Sequence, residues 1–131
     1  MLQADLEEEP FPFANDSFAV VTCLEVIEHP KEPKNMLNEI RRVLRGDGTL
    51  LLSTPNSRNP LWRIRDALIS FPFLSRLYAG RVFPSDLRRY SLEGITRLLT
   101  RTGFSIESVI YLSIILPADD ILLVAHKKLL G

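Results

Sequence analysis

Glu25, Glu28 and His29 place three ionisable side chains within five residues. A histidine titrates near neutral pH and can take up and return a proton, while carboxylates accept hydrogen bonds and attract cations. What precedes the trio gives it a setting. Phe18 to Leu24 is an apolar run that includes Val20, Val21 and Cys23, and its shortness and β-branching predict a fully buried strand. Open α/β sheets hold their ligands at the carboxyl ends of such strands. The acidic, histidine-bearing end of this run is therefore the first candidate site.

The rest of the chain supplies elements to position it. Asn15-Asp16-Ser17 is turn chemistry ahead of the strand. Pro30 and Pro33 stop the chain and restart it, since proline suits the first turn of a helix. Met36, Leu37, Ile40, Val43 and Leu44 then line one face of an amphipathic helix over 34–45. Arg45-Gly46-Asp47-Gly48 breaks it, with Gly46 expected to cap its C-terminus, and a second apolar strand runs from Thr49 to Thr54. Strand, helix, strand over so short a span predicts a parallel βαβ unit. Further on, Ser91 caps a helix that carries Ile95, Leu98 and Leu99 to Gly103. Two extended stretches follow, 104–116 and 121–125, joined closely enough to be antiparallel neighbours.

Between the second strand and that helix, residues 57–84 differ in kind. Trp62, Ile64, Leu68, Phe71, Phe73 and Leu77 alternate with Arg63, Arg65, Arg76 and Arg81, which suggests short amphipathic helices forming a lid over a substrate. A basic amphipathic segment can also lie on a membrane surface.

Bulk composition narrows the class. The chain has 131 residues, 46% apolar and 24% charged, with zero net charge. That is one domain at most, with no whole-chain attraction to nucleic acid. Cys23 is the lone cysteine, which excludes a disulfide framework and fits a reducing cytoplasm. No apolar run approaches the roughly 20 residues a spanning helix needs. Charge is nonetheless segregated: residues 1–32 hold eight acidic groups against Lys31, and residues 58–101 hold nine arginines against Asp66, Asp86 and Glu93. A dipolar surface would explain this, and so would an arginine-rich middle facing an anionic or amphiphilic substrate.

A linked set of segments carries a family resemblance. Asp5-Leu6-Glu7-Glu8, Pro10-Phe11-Pro12-Phe13, Ser17-Phe18-Ala19-Val20-Val21, Glu25-Val26-Ile27-Glu28-His29, Glu39-Ile40-Arg41-Arg42-Val43-Leu44 and Gly48-Thr49-Leu50-Leu51-Leu52-Ser53-Thr54-Pro55-Asn56 occur in this order. Together with Leu87-Arg88-Arg89-Tyr90-Ser91-Leu92-Glu93-Gly94, they resemble the class I S-adenosylmethionine-dependent methyltransferases, in particular the ubiquinone-biosynthesis type that acts on small molecules. The resemblance implies an α/β fold, a partial Rossmann-like methyltransferase sheet made of the family's strands four to seven, the last one antiparallel. The family's N-terminal strands and its glycine-rich loop, which holds the methionine end of the cofactor, are missing. The chain is accordingly expected to be a C-terminal part, a truncated form inactive alone.

The resemblance also implies roles. Asp5 stands where the family accepts a hydrogen bond from the adenine amine, with Leu6 packing on the ring. Cys23 and Leu24 stand where the methionine and sulfonium are lined, although Cys23 also suits the core as a small buried residue. In ubiquinone-type O-methyltransferases a Glu-x-x-Glu-His stretch is associated with a divalent cation, which makes Glu25, Glu28 and His29 metal candidates. They are equally candidates for general-base chemistry (His29, with Glu28) and for simple hydrogen bonding to the cofactor (Glu25). Arg88, Arg89 and Tyr90 follow the lid and, with Trp62, are candidates for facing the substrate. Asp86 stands where many relatives have a histidine.

The expected function is methyl transfer from S-adenosylmethionine to a small-molecule acceptor in the cytoplasm. The alternatives are a non-catalytic remnant that acts as an interaction module, and a membrane-associated methyltransferase acting on a lipid or quinone through residues 57–84.

Overall fold

The computed structural model describes residues 10–58, 88–112 and 120–128. Asp5, Leu6, Trp62 and all of the 57–84 lid beyond Arg58 lie outside them. The elements run β1 (Phe18–Leu24), α1 (Pro33–Val43), β2 (Leu44–Pro55), α2 (Leu92–Arg101), β3 (Phe104–Leu112) and β4 (Asp120–Lys127). They form one four-stranded sheet in the order β1-β2-β4-β3. β1 and β2 are parallel, and β4 is antiparallel to both β2 and β3. The last strand is antiparallel, as the family resemblance implies, and it slots between its two predecessors.

Both helices pack on one face. Met36, Leu37 and Ile40 of α1 and Ile95 and Leu99 of α2 share a buried cluster with Cys23, Leu50, Leu52, Phe104, Ile121, Leu123 and Ala125. The period-two alternation of the strands explains this membership, since every second residue of β2 and β4 points to the same side. The opposite face is partly open among the described residues. Val20, Leu24 and Ile110 on it are about half exposed, at 52%, 52% and 46%.

That exposure corrects the expectation of a fully buried β1. Among the described residues the strand pairs only with β2, so it is an edge strand with one covered face.

The helix boundaries follow local chemistry. Pro33 occupies the first turn of α1, where its missing N–H costs nothing. Ser91 Oγ accepts the Gly94 N–H at 3.2 Å and caps α2, and Gly103 ends that helix at φ +85°, a left-handed conformation open to glycine at little cost.

Gly46 does not cap α1, contrary to expectation. The helix stops at Val43, Leu44 already has extended backbone angles, and Gly103 is the only glycine with positive φ among the described residues. Residues 45–48 instead form an irregularity inside β2, where the register advances from Leu44 to Thr49 while β1 advances from Phe18 to Val20. Gly48 is the glycine this loop-out requires, because a Cβ there would sit 2.8 Å from Leu44 Cδ2 and 3.0 Å from the Arg45 carbonyl.

A clamp ties the segment before β1 to α1. Arg42 and Glu39 pair through two parallel contacts, Nε to Oε1 at 2.9 Å and Nη2 to Oε2 at 2.8 Å. Arg42 also donates to the carbonyls of Phe11 and Phe13, and Glu39 accepts the Phe11 N–H at 2.9 Å. The Arg42 hydrogen bond holds the Glu39 carboxyl below its ordinary pKa.

Candidate functional site

The site begins where β1 ends. Immediately after Leu24, Glu25 adopts φ +54°, which costs free energy in a residue with a Cβ and persists only where its surroundings enforce it. Here the enforcement comes from Ser53 on β2. The Glu25 N–H donates to the Ser53 carbonyl and hydroxyl, both at 3.2 Å, and the hydroxyl donates to Glu25 Oε1 at 2.6 Å. Ile27, fully buried, then anchors the turn in the core, and the His29 N–H closes it on the Val26 carbonyl at 3.0 Å.

This tight turn separates the three ionisable residues by environment. His29 and Glu25 are exposed, whereas Glu28 keeps 3% of its surface. Glu28 Oε2 is buried without a hydrogen-bond partner among the described residues. Burial pushes the Glu28 pKa up; a backbone hydrogen bond and His29 oppose the shift, and the charge of Asp120 adds to it. Glu25 remains exposed as a residue, but its carboxyl is drawn in against Ser53. Partial desolvation therefore raises its pKa as well, against the Ser53 hydrogen bond and with help from Asp120 and Glu28. The result is a carboxylate-rich edge in which negative charge is held at a cost.

Cys23 lies just behind this edge, 4% exposed in the core. Burial first, then the charges of Glu28 and Glu25, push its thiol up to about 12. A thiol so raised stays protonated and acts as a packing group rather than a nucleophile. Leu24, in contrast, is half exposed at the lip.

The segment that leads into α2 builds a second wall. The Arg88 N–H donates to the Glu28 carbonyl at 3.1 Å, and the Ser57 N–H donates to the Tyr90 carbonyl at 3.0 Å. Asn56, just past β2, bridges to Tyr90. Arg88 is thus brought to the Glu25–His29 turn and Tyr90 to the end of β2, while Arg89 between them is exposed.

Among the described residues, no three His, Cys, Asp or Glu side chains come together as a set that could hold a metal ion. Glu25, Glu28 and His29 are neighbours in sequence that the turn does not converge on one centre.

Ser53 and Asp120 belong to the edge without having been singled out in the sequence. Asp120 lies opposite Pro55 of β2 and Leu112 of β3. Ser53 carried a weak signal, a hydroxyl residue at the end of an apolar strand. Neither could be placed beside Glu25 before the strand order was known.

Comparison with known proteins bears on the family. The family described as "Methyltransferase domain" matches residues 1–52. A "Ubiquinone biosynthesis O-methyltransferase" of Coxiella burnetii is 32% identical over 91 residues, 66% of this chain and 39% of that protein. A Mycobacterium tuberculosis protein described as "Probable S-adenosylmethionine-dependent methyltransferase" is 46% identical over 104 residues, 79% of this chain and 32% of that protein. These matches are to S-adenosylmethionine-dependent methyltransferases, the family that the sequence resembles.

The fold of the chain agrees. Magnesium protoporphyrin IX methyltransferase from Synechocystis, solved with bound SAH, matches 97% of this chain and 50% of its own, with a TM-score of 0.63 at 19% identity. The chain spans about a third to two fifths of the length of the curated relatives it matches. S-adenosylmethionine is the cofactor of this family. The edge has a feature that suits it: a buried carboxylate oxygen on Glu28 without a hydrogen-bond partner among the described residues, in the same turn as the Glu25 carboxylate, acceptors that match the ammonium and sulfonium of such a ligand.

Proposed function

We propose that the protein transfers a methyl group from S-adenosylmethionine to a small-molecule acceptor, with the Glu25–His29 turn as the meeting point of cofactor and acceptor. The observation that supports this best is Glu28: a carboxylate 3% exposed, with an oxygen that has no hydrogen-bond partner among the described residues, at the carboxyl end of a sheet strand. An orphaned buried acceptor costs free energy, and a cationic or hydrogen-bond-donating ligand removes that cost.

When bound, the cofactor supplies an electrophilic methyl group on a positively charged sulfur. The chain's residues do the rest. Leu24 and Glu25 line the cofactor side, with Cys23 packed behind them and Asp5 and Leu6 assigned to its adenine end. His29, exposed beside the buried Glu28, accepts the proton that leaves the acceptor's nucleophilic atom. Arg88 and Tyr90 wall the acceptor side, with residues 57–84 as its cover. Alignment of acceptor and methyl supplies most of the rate gain in such a displacement, so positioning by a rigid turn matters more than covalent chemistry.

The free edge of β1 favours a second reading, an interaction module. Val20 and Leu24 are half exposed, and the strand has one partner among the described residues. A bare strand edge is a template for pairing with further chain.

A titration of S-adenosylhomocysteine into the isotopically labelled chain, followed by amide shifts, separates the two readings. Saturable shifts at Glu25, Glu28 and His29 that Glu25→Gln weakens are expected. Amides that never move with the ligand would leave the module reading for this chain.

A further inference from the structure

A second concentration of charge lies on the helical side of the sheet, in a cleft of about 360 Å³ between α1 and α2. Lys34, Arg88, Arg97 and Arg101 line it, together with Tyr90 and one carboxylate residue, Glu32. These groups come from three separate parts of the fold: the start of α1, the segment before α2, and α2 itself. Chain proximity alone does not gather them.

The end of α1 that opens on the cleft adds to the positive field. Its N-cap, Glu32, makes no side-chain hydrogen bond to the helix, and its first turn holds no acidic residue. The positive end of the helix dipole therefore has no side-chain hydrogen-bonded cap, although the Asn35 N–H is taken by the Glu32 carbonyl at 3.0 Å. The neighbouring α2 shows the usual compensation, with Ser91 capping it and Glu93 in its first turn. Two of the cleft's cations are partly engaged: Arg97 pairs with Glu93 at 2.7 Å, and Arg88 donates to the Lys31 carbonyl. Lys34 and Arg101 have no carboxylate partner among the described residues.

We propose that this cleft is an oxyanion-binding site that takes the carboxylate or phosphate group of a small ligand. Arginine presents a planar fork of donors that suits either group, the cleft is roomy enough for it, and Glu32 is the one carboxylate among its described lining residues. The site also gives a role to part of the segregated charge in the sequence, three of the nine arginines between residues 58 and 101. The cleft shares the 88–90 segment with the acidic edge, where the Arg88 N–H meets the Glu28 carbonyl at 3.1 Å. An anionic group held here would thus act as the handle of the methyl acceptor. That last role rests on the methyl-transfer reading; anion binding itself does not.

The test uses the full chain without cofactor. Inorganic phosphate and, separately, benzoate are titrated at constant ionic strength while the Gly94, Leu98 and Arg101 amides are followed. Saturable shifts are expected with at least one of the two, and the arm that saturates identifies phosphate or carboxylate as the preferred group. Lys34→Gln combined with Arg101→Gln should weaken binding about tenfold, with an unchanged unfolding midpoint in the absence of anion. Shifts that stay linear for both anions, or that saturate equally in the double variant, overturn the proposal. Saturation only with an acidic polypeptide such as polyglutamate also overturns it, in favour of a protein partner. Phosphate or benzoate binding in a chain that ignores S-adenosylhomocysteine upholds the cleft and removes only its assignment as an acceptor handle.

Discussion

Two groups of carboxylates in this molecule are treated in opposite ways. On the outer surface of α1, Glu39 is gripped by Arg42 and also accepts the Phe11 N–H, and its pKa is held below the ordinary value. At the end of β1, burial raises the pKa of both Glu25 and Glu28, and the charge of Asp120 adds to each shift. The first arrangement satisfies its charge and holds the segment before β1 against the helix. The second leaves an oxygen of Glu28 without a partner among the described residues, and so spends stability on keeping an acceptor ready. A fold that pairs one carboxylate so completely has the means to pair the others. Raised carboxyl pKa values in a cleft are a common mark of functional sites.

The contrast can be broken at either end. Arg42→Gln should have the largest effect, since it removes the grip on Glu39 and the links to the Phe11 and Phe13 carbonyls at once. Exchange of the Phe11 amide should speed up about tenfold or more, and hydrogen-exchange NMR would measure it. If exchange stayed slow, the clamp would not be what holds that segment.

At the acidic edge the sign reverses. Glu28→Gln should raise stability near neutral pH by roughly 1 kcal/mol, because it removes a charge that the folded state holds unpaired. Denaturant unfolding would show the gain, and the same variant should weaken cofactor binding. A loss of stability would mean that the carboxylate is satisfied in the fold.

Ser53→Ala is a smaller change. It deletes the 2.6 Å hydrogen bond to Glu25 and should cost about 0.5–1.5 kcal/mol. The Glu25 pKa should rise further, since the hydrogen bond that opposes its upward shift is gone. An NMR titration of the Glu25 side-chain carboxyl would read this directly.

The pH dependence of stability gives the smallest and most diagnostic signal. For Glu39, with its lowered folded pKa, the stabilisation is full above the unfolded value of 4.5 and is lost as pH falls through the folded value. For Glu25 and Glu28 the folded state binds protons more tightly than the unfolded state. Their contribution therefore falls as pH rises from 4.5 through their raised folded values. Comparing unfolding curves of the parent chain with Glu39→Gln and Glu28→Gln between these limits should show slopes that change in opposite directions. Slopes that changed alike would erase the distinction between the two groups.

Much of this fold was legible because it is written locally. The i, i+4 spacing of Met36 and Ile40 marked α1, Pro33 marked its start, and Ser91 and Gly103 marked both ends of α2. The apolar runs at 18–24, 49–54 and 121–125 marked strands. Misreadings came where a local signal had two structural solutions. Gly46 looked like a helix cap, but the demand for a missing Cβ falls on Gly48, where strand and loop-out close on each other. The run around Val20 looked fully buried, but its burial depends on how many neighbours the strand has.

The sequence by itself determined which side chains could do chemistry and that they follow a strand: Glu25, Glu28 and His29 are adjacent in the chain, and adjacency needs no tertiary information. It did not determine which of them would be buried. That was decided by the turn after Leu24, which sends Glu28 inward and leaves His29 outside. Nor could it place Ser53 and Asp120 beside Glu25, or draw Lys34, Arg88 and Arg101 around one cleft. Those meetings depend on β1 pairing in parallel with β2 for Ser53, on β4 inserting between β2 and β3 for Asp120, and on α1 and α2 sharing one face of the sheet for the cleft. They join residues tens of positions apart, and only the packing of the assembled sheet and helices sets their distances.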